Sequence, residues 1–239
     1  MNTRKQTELI VALDVNSQAE MIRALELLPA DIQWVKVGLE LFCAEGPSIL
    51  LPLRDRNLSV FLDLKLHDIP KTVEKAVKSA SKHGVQLLTI HASGGREMIR
   101  AACVAAREFG QNGPKILAVT ALTSLQDSDL KDIGVQRGMS EQVRALAHLA
   151  VDAGADGLVC SPLETALLRR ELGEKPLLVT PGIRSQKDEM GDQKRTLSAG
   201  DAVRAGATHL VVGRPILAAA DPARAAAQLL SEIRAASAS

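Results

Sequence analysis

The stretch VFLDLKLHDIPKTV, residues 60–73, starts as an apolar strand and then carries an acid at Asp63, a base at Lys65 and a second acid at Asp68. Side chains two apart leave the same face of a strand, so Asp63 and Lys65 point together. Asp68 falls beyond the strand, just ahead of a helix that Pro70 can start. Asp14 closes an earlier apolar run and Lys36 stands inside the next one. A single Asp–Lys pair is ordinarily a structural ion pair. Four charges at the ends of three neighbouring strands are different, because taking each ion out of water costs on the order of several kcal/mol. A pocket of alternating sign, built to act on a charged reactant, accounts for them better.

A second group of residues suits an anion. The run GATHLVVGRPI ends on Gly213, which lets a ligand approach the backbone, and on Arg214, which offers a planar fork of donors. The segment GIRSQKDEMGDQKR adds Arg184 and Gln193, behind Pro181 and Gly182 at the end of another apolar run, and could fold over a bound anion. Thr120 and Thr123 follow a further run. The two groups together suggest a phosphorylated small molecule whose reacting end lies near Lys65.

Those residues need a frame that brings strand ends together. Eight short apolar runs recur along the chain, at 9–15, 34–38, 60–65, 87–92, 116–122, 157–161, 177–182 and 209–214. Most are almost continuously hydrophobic, as strands buried on both faces must be. Helix-like segments alternate with them. In 70–82, Val73, Ala76, Val77 and Ala80 follow helical spacing while Lys71, Glu74, Lys75 and Lys78 stay wet. In 140–153, Ser140 precedes the helical pattern and Gly154 ends it. Strand and helix alternating eight times predict an α/β fold, a (β/α)₈ TIM barrel whose parallel eight-stranded sheet closes on itself. An open doubly wound sheet is the runner-up, but no GxGxxG follows the first strand. No linker or low-complexity tract divides the chain, so residues 1–239 are expected to form a single barrel domain. In such barrels chemistry sits at the carboxyl ends of the strands and phosphate at the loops after strands 7 and 8. Both groups of residues fall in those places. The longest irregular stretches, 123–139 and 183–197, each follow a predicted strand directly.

Composition narrows the function classes. A chain with 46% hydrophobic and 24% charged residues has ample core material, and a net charge of +1 gives no field that would draw nucleic acid or an anionic membrane. The aromatic side chains are Trp34, Phe42, Phe61 and Phe109, with no tyrosine, which leaves little for a base-stacking surface. Cys43, Cys103 and Cys160 are far apart and form no CxxC pair, so small buried thiols in a reducing compartment are expected. No apolar run approaches the roughly 20 residues of a membrane span, and no secretory leader is evident. A cytoplasmic location is expected.

DLKLHDIPKT, with LDV, KVGLELF, LTS, TPGIR and VVGRPI in this order and spacing, resembles the orotidine 5′-phosphate decarboxylases of the bacterial type across essentially the whole chain. The resemblance implies a homodimeric barrel that converts orotidine 5′-monophosphate to UMP and CO₂, the last step of UMP biosynthesis, without metal or organic cofactor. It implies that Asp14 and Lys36 hold the ribose hydroxyls and that Asp63 and Lys65 face the C6 carboxylate. Asp68 and Thr72 would reach into the partner subunit's site, with Ile69 lining the space for departing CO₂. Thr123 would read the pyrimidine edge, Pro181 would be a further substrate-binding residue, and Arg184, Gln193, Gly213 and Arg214 would take the phosphate. An ammonium at Lys65 would stabilise the C6 carbanion and then protonate it. Acids at Asp63 and Asp68 would favour its charged form in a dry pocket.

The nearest rival is a Mg²⁺-dependent hexulose-phosphate synthase or keto-gulonate-phosphate decarboxylase, which shares the strand-3 DxKxxD pattern. That chemistry wants a carboxylate where this chain has Lys36. A non-catalytic phosphate-binding module would explain Gly213 and Arg214 but not the Asp–Lys–Asp series. Isomerases of tryptophan- or ribulose-phosphate type share the phosphate end but give no reason for the Asp68-Ile69-Pro70 turn. His91 is read as a hydrogen-bonded structural residue, Gly94-Gly95 as a helix entry, and Cys160 as lacking the neighbouring base a nucleophile needs.

Overall fold

The computed structural model describes residues 6–183 and 197–238. Eight strands run β1 (Glu8–Ala12), β2 (Trp34–Gly38), β3 (Ser59–Leu66), β4 (Leu87–His91), β5 (Lys115–Val119), β6 (Gly157–Val159), β7 (Leu177–Pro181) and β8 (His209–Val212). Each pairs in parallel with the next in sequence, and β8 returns to β1 through Ile10↔Val211 and its neighbours, so the sheet is a closed (β/α)₈ barrel. The expected architecture holds.

Alternation along the strands divides the core into an inside and an outside. Ile10, Ala12, Phe61, Leu87, Leu117, Val179 and Val211 fill the barrel, with Trp34, Val159 and Leu177 against them. The intervening residues face outward. Val35, Val37, Leu62, Leu88 and Ile90 meet Val73, Val77, Met98 and Ile99 of the surrounding helices. Leu9, Val11, Leu210 and Val212 meet Ile216, Leu229 and Ile233 on the other flank. Each fully buried Leu, Ile or Phe contributes roughly 1.5–3 kcal/mol relative to an exposed one. The floor of the barrel is thus packed with apolar side chains, and polar groups gather above it.

Local chemistry sets the helix ends. The helix Pro70–Ser81 starts at the proline and buries Val73, Val77 and Ala80. Ser161 caps Pro162–Leu172 by accepting from the Leu163 N–H, and Gly173, at φ 73°, ends it. Several details differ from the sequence reading. The second long helix is Met139–Asp152, so Ser140 lies inside its first turn, and Asp127 Oδ1 takes the Met139 N–H at 2.7 Å. The stretch 123–139 is not wholly irregular, because Asp127–Asp132 is a short helix in which Asp129 reaches back to the Gln126 N–H at 2.7 Å. Strands β1 and β5 stop at Ala12 and Val119, several residues short of the apolar runs that mark them. No helix among the described residues is long and apolar enough to cross a membrane.

Candidate active site

Strand alternation places Lys36, Asp63 and Thr89 on the inner face, one step above the apolar floor formed by Trp34, Phe61 and Leu87. Lys36 Nζ donates to Asp14 Oδ1 at 2.9 Å and stands 4.0 Å from Asp63 Oδ2. Lys65 Nζ donates to that same Asp63 oxygen at 2.7 Å. The result is a continuous Asp14–Lys36–Asp63–Lys65 chain of alternating charge across the tops of β1, β2 and β3. The Asp63 and Lys36 side chains are only 13% and 11% exposed, and Lys65 28%, so the pair charges sit largely out of water. Asp14, at 55%, opens the chain to solvent.

The backbone at Lys65 is unusual. Its φ is 49°, a left-handed conformation that costs a non-glycine residue about 1–3 kcal/mol. The cause is visible in the pairing with β4, which passes from Leu62↔Leu88 to Leu66↔Ile90 and leaves Asp63, Leu64 and Lys65 in a bulge. Across the bulge the Lys65 ammonium reaches back to the inward-facing Asp63 carboxylate at 2.7 Å. The Lys65 backbone N–H donates to Thr89 Oγ1 at 2.8 Å, and the same hydroxyl donates to Asp63 Oδ1 at 2.9 Å. Sequence reasoning missed Thr89. Its signal is a polar residue at an inward position of LLTIH, level with Asp63.

Two glycines bring backbone close to this chain. A Cβ at Gly38 would lie 2.8 Å from Lys36 Nζ, and one at Gly213 would lie 3.1 Å from Asp14 Oδ2. The end of β8 therefore borders the Asp14 end of the charge chain. Arg214, exposed, begins the short helix after Gly213. Pro181 closes β7 half-buried, and Gly182 turns the chain at φ 80°. Thr120 Oγ1 is tied to the Val159 carbonyl at 3.3 Å, and Thr123 stands half-buried three residues beyond Thr120. Arg184 and Gln193 lie outside the described residues.

Asp68, Ile69 and Thr72 are exposed on the rim after β3. Asp68 Oδ1 accepts from the Ile69 N–H at 2.6 Å, which fixes the turn into the following helix. Within one chain no hydrogen bond or ion pair among the described residues joins Asp68 to Lys65. His91 packs its ring 5.5 Å from that of His67, and no hydrogen bond to its ring occurs among the described residues, so the expected hydrogen-bonded role gives way to ring packing. Burial, with the nearby His67 and Lys65 charges, pushes the His91 pKa below its ordinary value, against a smaller opposing effect of Asp63. Cys160 is buried beside Thr165, and burial pushes its thiol up to about 12, consistent with a structural residue. Gly95 opens the helix Gly95–Arg107, as its sequence suggests.

Chemically, the arrangement presents an ammonium at the mouth of an apolar barrel, with an acid and a second ammonium behind it. Such a site can stabilise negative charge that develops above Lys65 and can deliver a proton there.

Comparison with known proteins covers nearly the whole chain. The model of the orotidine 5′-phosphate decarboxylase / HUMPS family matches residues 7–229. The orotidine 5′-phosphate decarboxylase of Idiomarina loihiensis is 47% identical over 226 residues, 95% of this chain and 97% of that protein. The protein of the same name from Pelobacter propionicus is 48% identical over 227 residues, 95% of each. The crystal structure of orotidine 5′-phosphate decarboxylase from Lactobacillus acidophilus superposes with a TM-score of 0.86 at 38% identity, covering 95% of this chain and 99% of that one.

Proposed function

The chain belongs to the orotidine 5′-phosphate decarboxylase / HUMPS family, and from that membership we propose that it converts orotidine 5′-monophosphate to UMP and CO₂ in pyrimidine biosynthesis. The observation that carries this reading within the family is Lys36. An ammonium 2.9 Å from Asp14 and 4.0 Å from Asp63 stands where a Mg²⁺-dependent member would need a carboxylate. It puts a cation where such a metal ion would have to sit.

In the proposed reaction the bond between C6 and the carboxyl carbon breaks and its electron pair stays on C6. That carbanion has no conjugated sink, so the site must supply the stabilisation. The Lys65 ammonium does so electrostatically, in surroundings that screen it less than water. It then gives its proton to C6, becoming a neutral amine that water reprotonates after product leaves. Asp63 holds the ammonium in place before the bond breaks. Asp14 and Lys36 bind the ribose hydroxyls, Thr123 and Pro181 border the base, and Gly213 and Arg214, with Arg184 and Gln193, take the phosphate. Remote phosphate binding supplies energy that is used at the reacting carbon.

The same reading makes the enzyme a cytoplasmic homodimer. Asp68 and Thr72 extend to the partner's site, and Ile69 lines the pocket for CO₂. Leu39 after β2, Ile69 after β3 and Leu122 after β5 are 51%, 67% and 38% exposed, apolar surface that a partner subunit would cover. The test is the absorbance change of orotidine 5′-monophosphate with purified protein in EDTA. Full activity is expected; loss that Mg²⁺ restores would favour the metal-dependent branch of the family.

A further inference from the structure

We propose that Thr89 is a positioning residue for the reaction, holding Asp63 and Lys65 in register with each other through a single buried hydroxyl; this rests on the assignment of Lys65 as proton donor. Between Leu62↔Leu88 and Leu66↔Ile90, β3 carries three residues, Asp63, Leu64 and Lys65, where β4 carries Thr89 alone, so the backbone ladder is interrupted at the reacting residues. At the gap the Lys65 N–H donates to Thr89 Oγ1 at 2.8 Å. An amide can only donate, so the hydroxyl is the acceptor there and has one proton left to give. It gives that proton to Asp63 Oδ1 at 2.9 Å. The other carboxylate oxygen, Oδ2, is then turned to the Lys65 ammonium at 2.7 Å and to Lys36 at 4.0 Å.

One hydroxyl thus fixes the backbone of the ammonium bearer and the rotamer of its acid. Thr89 is able to hold them because it cannot move itself. It is fully buried, paired with Leu117 of β5, and seated above Phe61 and Leu87 in the barrel interior. Rigidity of the apolar floor passes through it to the charge chain. No other described side chain bonds both the Asp63 carboxylate and the Lys65 amide. Without the hydroxyl, the bulge keeps its left-handed residue but loses the acceptor that supports it, and Asp63 is held through Oδ2 alone.

The test compares Thr89→Val, which keeps shape and loses the hydroxyl, with Thr89→Ser, which keeps the hydroxyl. Misplacement of a reacting group by about 1 Å costs on the order of 10²-fold in rate. Thr89→Val is expected to lower kcat about 10–100-fold with KM within about threefold, because the binding residues are untouched. Thr89→Ser should recover to within about threefold of wild type. Hydrogen exchange of a peptide spanning Lys65 reads the same bond without catalysis, and protection should fall in the valine variant and persist in the serine one. Wild-type kcat in Thr89→Val, or a serine variant as impaired as the valine one, would overturn the proposal. So would unchanged exchange at Lys65. If the valine variant does not fold, Thr89→Ala against Thr89→Ser makes the same comparison. Failure of the proton-donor assignment shows separately, as an active Lys65→Ala, whereas the exchange result stands on its own.

Discussion

Gly38→Ala isolates one contact of the charge chain. Gly38 has φ −98° and ψ −175°, ordinary extended backbone, so alanine is tolerated conformationally and narrows the unfolded ensemble by about 0.4–1 kcal/mol. The added Cβ would stand 2.8 Å from Lys36 Nζ, against about 3.4 Å for ordinary contact, so the ammonium must retreat by roughly 0.6 Å. It is the far end of a flexible side chain, and it moves more easily than the backbone. Retreat stretches the 2.9 Å bond to Asp14. A hydrogen bond to a charged group is worth about 1.5–3 kcal/mol, and losing part of it, about 1–2 kcal/mol, corresponds to roughly a 5–30-fold fall in kcat/KM. The fall should appear mainly as a higher KM, since Lys36 is assigned to the ribose and not to the reacting carbon. Steady-state kinetics with orotidine 5′-monophosphate, beside a thermal melt, reads both effects. An unchanged kcat/KM with an unchanged melt would refute the role given to the Lys36–Asp14 pair. A collapse of the melt would refute the claim that only the side-chain tip must yield.

Two further outcomes follow from the same geometry. Arg214→Ala, next to Gly213 at the end of β8, should weaken substrate binding by about 2–4 kcal/mol through loss of a charged contact to phosphate, read as a rise in KM; an unchanged KM counts against the phosphate assignment. His91 has its folded pKa pushed below the ordinary 6.5 by burial and neighbouring positive charge. The unfolded chain therefore takes up that proton first, so the stability His91 contributes is present above its unfolded pKa and is lost as pH falls through the folded one. Melting temperature should decline from about pH 6.5 downward, and His91→Asn should flatten that decline; a variant with the wild-type slope would contradict the assignment.

Eight apolar runs were enough to read the barrel, because strands covered on both faces must be hydrophobic throughout. The same continuity hid where β1 and β5 stop, since an apolar residue just past the last ladder bond looks like one inside it. The helix Asp127–Asp132 carries DSDLKD, in which Leu130 is the buried residue, so no apolar period announces it. Among site residues, Asp14, Lys36, Asp63 and Lys65 were legible because charge in an apolar strand is conspicuous, and they do meet in space. The bulge at Lys65 was not legible. Left-handed backbone is ordinarily marked by glycine or asparagine, and a lysine there gives no sign of it. Thr89 was missed for a related reason: its importance comes from the register slip between β3 and β4, which exists only once the strands pair.

The most direct test of the central claim is single-turnover decarboxylation of orotidine 5′-monophosphate by Lys65→Ala, with UMP binding measured by calorimetry on the same preparation. Loss of electrostatic stabilisation, about 10²–10³-fold, compounds with loss of the proton donor, about 10²–10⁴-fold. The account therefore predicts a rate at least about 10⁴-fold below wild type, with UMP affinity changed by less than about tenfold. A variant that binds UMP and turns over within tenfold of wild type would contradict it.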